Sequence, residues 1–153
     1  MPVVNHAGHE CEVLILAPVL ALGAWAIVGA DLAWLFACGL VFGTVWLSPD
    51  LDHHVGSASA RRWWLLRCIW APYAMMIPHR SVLSHGPVIG TAGRLLWLAI
   101  AFSPAIVALM LGGIVIARDV WGWYAAHEYE AWAVLAGLEA SAMVHATADW
   151  MIP

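Results

Sequence analysis

Four long apolar runs are the feature that most restricts what this chain can fold into. Residues 13–30 and 32–47 are separated only by Asp31, and residues 95–117 and 131–150 form the third and fourth runs. Such runs suit helices that cross the hydrocarbon core of a bilayer, where every backbone polar group must find a partner within the protein. The runs predict an all-α integral membrane protein with about four transmembrane helices, of which the first two form a tight hairpin.

The composition supports this prediction and limits the alternatives. Hydrophobic residues make up 63% of the 153-residue chain and charged residues only 10%, whereas a soluble domain carries about 25% charged residues. The chain has no lysine, only six arginines and a net charge of −4, so it is not expected to bind nucleic acid. Its three cysteines form no CxxC pair, which argues against a disulfide framework. We expect a single membrane-embedded domain over residues 1–153.

The longest polar interruption, residues 48–94, separates the second and third runs and is the predicted site loop. Within it, residues 61–77 mix arginine with aromatic residues, a composition that suits an interfacial or re-entrant helical segment. The tryptophans at the proposed membrane boundaries are predicted to be interfacial anchors: Trp63, Trp64, Trp70, Trp121, Trp123 and Trp150.

The arginines predict the orientation. Five of the six lie in the central loop, so the positive-inside rule makes that loop cytoplasmic. With four spans, both termini then lie on the same, cytoplasmic side of the membrane, as in a multi-pass membrane protein. No basic segment precedes the first run, so we expect no cleaved signal peptide.

This topology brings candidate metal ligands from separate segments to one membrane face. Imidazole nitrogens and carboxylate oxygens bind divalent cations, and ionisable groups in membrane segments are costly and usually functional. The sequence therefore predicts a metal site. The candidates are His9 and Glu10 before the first run, Asp50 and Asp52 after the second, His79 and His85 before the third, and His145 and Asp149 near the end of the fourth.

The spacing of the two central aspartates suggests how they act. Asp50 and Asp52 are two residues apart in SPDLD, so both carboxylates would point the same way if the segment were extended. Pro49 disfavours a helical conformation at Ser48 and supports that interpretation.

The other ligand pairs differ in their predicted setting. His145 and Asp149 are four residues apart and share one helix face. Residues 79–87 contain serine, glycine and proline and are predicted to form a structured loop. Glu139, deeper in the fourth run, is a candidate hydrogen-bond partner for a ligating histidine.

Three motifs, SPDLD, PHRSVLSHGP and HATADW, occur in this order. Together they resemble a family of small bacterial metal-binding membrane proteins of unknown function, which is in turn similar to the membrane-bound metal-dependent hydrolases induced by DNA damage. The resemblance covers most of the chain. Near the N-terminus the family shows His-Asp where this chain has His9-Glu10, and Glu10 retains a carboxylate. The ligands that the resemblance implies are Asp50, Asp52, His79, His85, His145 and Asp149.

The first functional hypothesis is a metal-dependent hydrolase at the cytoplasmic membrane surface. The ligand set is large enough for two ions with a bridging carboxylate, which can generate hydroxide near neutral pH and hold the attacking and leaving oxygens. Arg80 would stabilise charge on a phosphoryl group, and Ser81 and Ser84 would donate hydrogen bonds. The expected substrate is a phosphoester or other ester rather than a peptide, with a lipid headgroup or a lipid-linked phosphate as candidates.

The second hypothesis is a non-catalytic structural or regulatory membrane protein, in which the metal ties segments together. Structural sites fill every coordination position, whereas catalytic sites keep one open for water. Zinc is the first candidate ion, manganese and iron are alternatives, and either one or two ions can be accommodated. Membrane lipid is the expected partner, and homo-oligomerisation stays open. A helical HExxH protease is excluded because Val13 stands where the second histidine is needed.

Overall fold

The structure is a computed structural model that describes residues 7–53, 57–114 and 117–151, with side chains from Glu10 onward. Within these ranges the chain is helical apart from turns and bends and contains no strand, which confirms the predicted all-α class. Two 3-10 turns, Pro49–Asp52 and Trp64–Ile69, also occur there. The helices are α1 (Ala7–Val28), α2 (Ala30–Val45), α3 (Ala58–Arg62), α4 (Trp70–Met76), α5 (Val82–His85), α6 (Ile89–Leu111), α7 (Ala117–Ala126) and α8 (Glu128–Met151).

Three segments in the described ranges are long and apolar enough to cross a membrane: Glu10–Val28, Ala30–Asp52 and Ile89–Leu111. The first two meet at Gly29, whose φ of 84° permits the tight reversal of a helical hairpin. The third lies earlier in the sequence than the predicted run at 95–117. It ends there because the chain leaves the helix at two consecutive glycines, residues 112 and 113.

The fourth predicted run corresponds to α8, which is 24 residues long. At 1.5 Å per residue this helix measures about 36 Å, comparable to the thickness of a bilayer core. It carries more acidic residues than the three apolar segments and does not belong to that set. His145 and Asp149, two of its polar residues, are buried within the protein.

Small residues bring α2 and α8 into close contact. A Cβ atom added to Gly39 would lie 2.3 Å from the Val134 carbonyl oxygen, and one added to Gly137 would lie 2.0 Å from a backbone oxygen of α2. One added to Gly43 would lie 2.7 Å from Ser141 Oγ. Small residues four apart on each helix are a common means of close approach between membrane helices. Gly39 contacts Val134, and Gly43, one turn later in α2, contacts Ser141, which also comes later in α8. The two helices therefore run in the same direction.

The central stretch folds against the ends of these helices as short helical pieces. The predicted interfacial segment, residues 61–77, is divided among α3, a 3-10 turn and α4. Trp70 is fully buried and packs edge-on against Trp63 and Tyr73, with ring centroids 5.4 and 5.6 Å away. The interpretation of Trp70 as an interfacial anchor is therefore wrong, because its indole forms part of the core below the site.

Candidate metal centre

Four of the predicted ligands meet where the end of α2, α5 and the end of α8 come together. His85 Nε2 lies 3.1 Å from Asp149 Oδ2. His145 Nε2 lies 3.4 Å from Asp50 Oδ1 and 3.5 Å from Asp149 Oδ2. One ligand atom from each residue lies within 4.8 Å of the other three. Two imidazole nitrogens and two carboxylate oxygens suit a four-coordinate divalent ion. We term Asp50, His85, His145 and Asp149 the primary cluster.

Asp50 reaches this cluster from a 3-10 turn, Pro49–Asp52, and not from the extended segment that its spacing suggested. The Ser48 hydroxyl accepts a hydrogen bond from the Asp50 N–H at 3.4 Å, and Pro49 has a φ suited to the first position of a helical turn. Residues two apart in such a turn point in different directions. Asp50 therefore joins the primary cluster, while Asp52 contacts a second group.

The second group consists of Asp52, His79 and His85, and we term it the secondary cluster. His79 Nδ1 lies 2.7 Å from Asp52 Oδ1, and His85 Nδ1 lies 3.5 Å from Asp52 Oδ2. The Arg80 backbone N–H donates to the same Oδ2 at 3.3 Å. The Asp52 side chain is fully buried, so its carboxylate is enclosed by nitrogen groups.

His85 belongs to both clusters because its two ring nitrogens face different neighbours. Nε2 points toward Asp149, whereas Nδ1 lies 2.7 Å from Ser84 Oγ and 3.5 Å from Asp52. Burial lowers the pKa of His85, but hydrogen bonds to Asp149 and Asp52 outweigh it and raise the pKa above its ordinary value. In the metal-free protein this imidazole therefore holds a proton more tightly than a free histidine does.

The burial of the carboxylates shows that the site fits a cation. Asp50, Asp52 and Asp149 are only 4%, 2% and 9% exposed. Burying an ionised carboxylate is strongly unfavourable unless a positive charge compensates it. Arg80 supplies one permanent charge, since its guanidinium donates to Asp149 Oδ1 at 3.2 Å. A divalent ion among mixed nitrogen and oxygen donors would supply more, so both the donor set and its burial match a metal site.

Arg80 occupies a strained position beside the cluster. Its φ of 58° lies in the left-handed region, which costs an ordinary residue about 1–2 kcal/mol. This conformation lets the backbone N–H reach Asp52 while the guanidinium reaches Asp149. Arg80 also lines a cavity of about 490 Å³ together with Ser81, His85 and Asp149. Part of the primary cluster is therefore accessible from this cavity.

The two predicted serine donors lie in different settings. Ser81 lines the cavity, and its hydroxyl has no hydrogen-bond partner within the described part of the chain. Ser84 is fully buried and does not line that cavity. Its hydroxyl lies against His85 Nδ1 and donates to the Ser81 carbonyl oxygen at 3.2 Å. The Ser84 hydroxyl therefore faces other protein groups and not the cavity, and its donation to a substrate stays a prediction.

Glu10 is not brought to either cluster. Its carboxylate accepts hydrogen bonds from the Arg62 guanidinium at 2.8 and 2.5 Å, and from the Ser59 hydroxyl at 3.5 Å. Glu10 is thus paired with Arg62 of α3, and its role as a metal ligand stays a prediction. The side chain of His9, the other N-terminal candidate, lies outside the described residues.

Two charged residues have structural roles that the sequence did not indicate. Glu139 accepts a hydrogen bond from the Val88 N–H at 2.8 Å, at the start of α6, and does not serve as the predicted partner of a ligating histidine. Arg94, counted among the loop arginines, is buried in α6 and donates to the Ser84 carbonyl oxygen at 2.7 Å. The predicted third run starts at residue 95, which leaves Arg94 in the loop. With a start at Ile89, Arg94 lies inside an apolar helix, where a charged residue indicates a specific role.

The fold and the site together define an all-helical protein with apolar helices able to span a membrane and a His/Asp centre at the ends of its helices. The chain belongs to the family described as "Uncharacterized metal-binding protein (DUF2227)", whose model matches residues 7–153. The metal-binding family expected from the three motifs is thereby confirmed. The chain is also 40% identical over 63 residues to an uncharacterized protein of Aquifex aeolicus, an alignment that spans 41% of this chain and 43% of that protein. No solved structure matches the chain.

Proposed function

We propose that this protein is a metal-dependent hydrolase that acts on a phosphoester, or another ester, at a membrane surface. One observation supports the proposal most directly: His85 and Asp149 of the primary cluster line the same cavity as Arg80 and Ser81. The cavity volume of about 490 Å³ lies within the range of small-molecule sites. A substrate in this cavity would contact both the ion and a permanent positive charge.

The residues around the cavity would have different roles in hydrolysis: binding the ion, binding the phosphate and donating hydrogen bonds. A divalent ion in the primary cluster would supply Lewis acidity, and a water bound as a fifth ligand beside the four protein donors would have a lowered pKa. The Arg80 side chain is 46% exposed and is oriented by Asp149, so its guanidinium can bind phosphoryl oxygens and stabilise their charge in the transition state. The Ser81 hydroxyl oxygen is shielded from solvent, so donation from it to a phosphoryl oxygen requires a change of its side-chain rotamer.

The proposal includes either one or two ions. The primary cluster offers four donors for the first, and the secondary cluster offers three donors that share His85. Zinc is the ion that two imidazoles and two carboxylates suit best, and manganese and iron use the same ligand types.

We also propose that α8 is a fourth transmembrane helix. It runs beside α2 in the same direction, with Gly137 against the α2 backbone, so it would share the depth of α2 in the bilayer. Its polar side chains lie against protein: His145 and Asp149 in the primary cluster, and Glu139 on the Val88 N–H. The site would then lie at the cytoplasmic face of a bacterial inner membrane, with both termini on that side.

The lining of the cavity supports a lipid headgroup or a lipid-linked phosphate as substrate. Beside the charged and polar groups, the cavity is lined by Val82, Ala146 and Trp150. Val82 and Trp150 are 66% and 85% exposed, which leaves the apolar side of the cavity open to surrounding lipid. An amphiphilic phosphoester would place its phosphate near Arg80 and its chain on this side.

The test is hydrolysis by the purified full-length protein in mixed micelles, with phosphatidic acid and a soluble aryl phosphate as separate substrates. We expect Asp50→Asn to abolish metal-dependent phosphate release and Arg80→Ala to lower kcat about 100-fold. His127→Ala is the matched control, because His127 is bonded to the Trp123 carbonyl oxygen and belongs to neither cluster. Hydrolysis that is equal in wild type and Asp50→Asn would contradict the proposal.

A structural or regulatory metal site is the second candidate. The observation that favours it is that the primary cluster joins segments far apart in sequence, since Asp50, His85 and Asp149 come from three separate elements. Chelation would then lower the melting temperature of the protein, while no phosphoester is hydrolysed. Four protein ligands with no bound water, measured by X-ray absorption at the metal, would favour this role over catalysis.

A further inference from the structure

We propose that Asp52 and Ser84 position the imidazole of His85 and are not metal ligands, so that a single ion is held by the primary cluster. This inference rests on metal binding by that cluster, which is part of the proposed function, but it does not depend on hydrolysis. It assigns the secondary cluster to the support of the site instead of to a second ion.

The hydrogen bonds of Ser84 fix where His85 carries its proton. A serine hydroxyl has one proton to donate, and two neighbours of Ser84 can only accept it: the Ser81 carbonyl oxygen at 3.2 Å and the Asp52 carboxylate. We therefore assign Ser84 Oγ as the acceptor and the His85 Nδ1–H as the donor at their 2.7 Å contact. With Nδ1 protonated, the lone pair of a neutral His85 lies on Nε2.

Nε2 is the nitrogen that faces the primary cluster, at 3.1 Å from Asp149 Oδ2. A histidine that binds a metal through one nitrogen commonly donates from the other to a carboxylate or other acceptor. His85 matches this arrangement, because its Nδ1 side is closed by Ser84 and by Asp52 at 3.5 Å. Nε2 is therefore the nitrogen that would bind the metal, after the ion displaces the proton that Nε2 donates to Asp149 in the metal-free protein.

The surroundings of Asp52 agree with a supporting role. Its fully buried carboxylate accepts from the Arg80 N–H at 3.3 Å and lies 2.7 Å from His79 Nδ1. An ion bound between Asp52 and His85 would need Nδ1 without its proton and would break the contact with Ser84. Asp52 therefore holds His79, Arg80 and His85 in place through hydrogen bonds.

Metal binding by the untagged full-length protein in detergent tests the inference, with Co²⁺ as the probe. Asp52→Asn retains the shape of the side chain and an acceptor oxygen, and Ser84→Ala removes the hydroxyl. We expect wild type and both variants to bind one Co²⁺ per chain with the same visible absorption bands, because the ligands are unchanged. Affinity for Co²⁺ should fall about 10–100-fold in the variants. Asp50→Asn, which removes a ligand, should alter the absorption bands.

A second measurement needs no variant and therefore no assumption about folding. In cadmium-loaded wild type with isotope-labelled histidine nitrogens, NMR should show coupling from cadmium to Nε2 of His85 and a proton on Nδ1. Three results would overturn the inference. The first is two ions per wild-type chain, of which one is lost in Asp52→Asn. The second is coupling from cadmium to Nδ1 of His85, and the third is unchanged affinity for Co²⁺ in both variants. None of these outcomes depends on turnover, so a protein that hydrolyses nothing still tests it.

Discussion

His85 Nε2 and Asp149 Oδ2 lie 3.1 Å apart although 64 positions separate the two residues in the chain. The contact arises because α5 and the end of α8 meet beside the turn that follows α2. Close packing of α2 on α8 sets this arrangement, since it fixes where Asp50 and His145 lie relative to each other. The geometry of the primary cluster thus depends on the packing of α2 against α8.

The first prediction concerns that interface. Gly39→Ala and Gly137→Ala should each lower the free energy of unfolding by about 1–3 kcal/mol, because the added methyl would meet backbone oxygen at 2.3 and 2.0 Å. Gly23→Ala is the matched control: no atom lies within 4 Å of its added Cβ, so helix propensity makes it neutral or stabilising. Thermal unfolding in detergent measures all three. Equal melting temperatures would refute the close packing.

The second prediction separates Glu10 from the metal site. Glu10→Gln should lower stability by about 1 kcal/mol, because it weakens the hydrogen-bonded pair with the partly exposed Arg62. Metal stoichiometry should remain unchanged, since Arg62 and not an ion compensates this carboxylate. The exchange Glu10→Arg with Arg62→Glu should recover part of the loss. Loss of metal in Glu10→Gln alone would restore Glu10 as a ligand.

The third prediction is the pH dependence of metal binding. A metal ion must displace the proton of His85, whose pKa is raised above the ordinary value of 6.5. Metal affinity should therefore fall as the pH decreases through that raised pKa, by about tenfold per pH unit for one displaced proton. Competition with a chelator of known affinity measures this dependence, and a flat profile between about pH 5 and 8 would contradict it.

The same group should give the metal-free protein the opposite trend. Because the pKa of His85 is higher in the folded than in the unfolded chain, its contribution to stability is full below 6.5 and is lost as the pH rises through the folded value. Thermal unfolding in excess chelator should show this decrease. An increase in the stability of the metal-free protein as His85 loses its proton would contradict the hydrogen bonding of His85 to Asp149 and Asp52.

The fourth prediction uses the backbone strain at Arg80. Arg80 has a φ of 58°, a backbone conformation that glycine adopts without strain. Arg80→Gly should therefore gain about 1 kcal/mol of stability from the relieved backbone strain, which offsets the loss of the hydrogen bond to Asp149. The variant should fold and bind metal, but it should hydrolyse phosphoesters far more slowly than wild type. Arg80→Lys keeps the charge without the planar fork and should be intermediate. Full activity in Arg80→Gly would remove Arg80 from the proposed mechanism.

Much of the fold and site could be predicted because the sequence signals are local. Apolar runs predicted the helices, and the HATAD spacing placed His145 and Asp149 on one helix face, as the structure has them. The predicted four-span topology places Asp50, His85 and Asp149 at one membrane face, and the structure has them in one cluster. Pro49, in contrast, favours an extended segment when the sequence is taken alone, whereas in the structure Ser48 and Pro49 together start a 3-10 turn.

The remaining differences come from tertiary partners that a linear pattern does not specify. Glu10 pairs with an arginine 52 positions away, and Ser84 faces His85 because α5 turns it inward. The glycines of α2 and α8 allow close packing only because each helix lies against the other, which neither segment of sequence shows alone. These residues are typical of sites where packing, and not local propensity, decides what a side chain contacts.

The most direct test of the account is metal content per chain of the untagged protein, measured by elemental analysis beside the double variant Asp50→Asn, His85→Ala. The matched control is Asp31→Asn, His127→Ala, which changes the same residue types outside both clusters. We expect one ion per chain in wild type and control and none in the double variant. Equal metal content in all three proteins, each still folded, would contradict a metal centre at these residues.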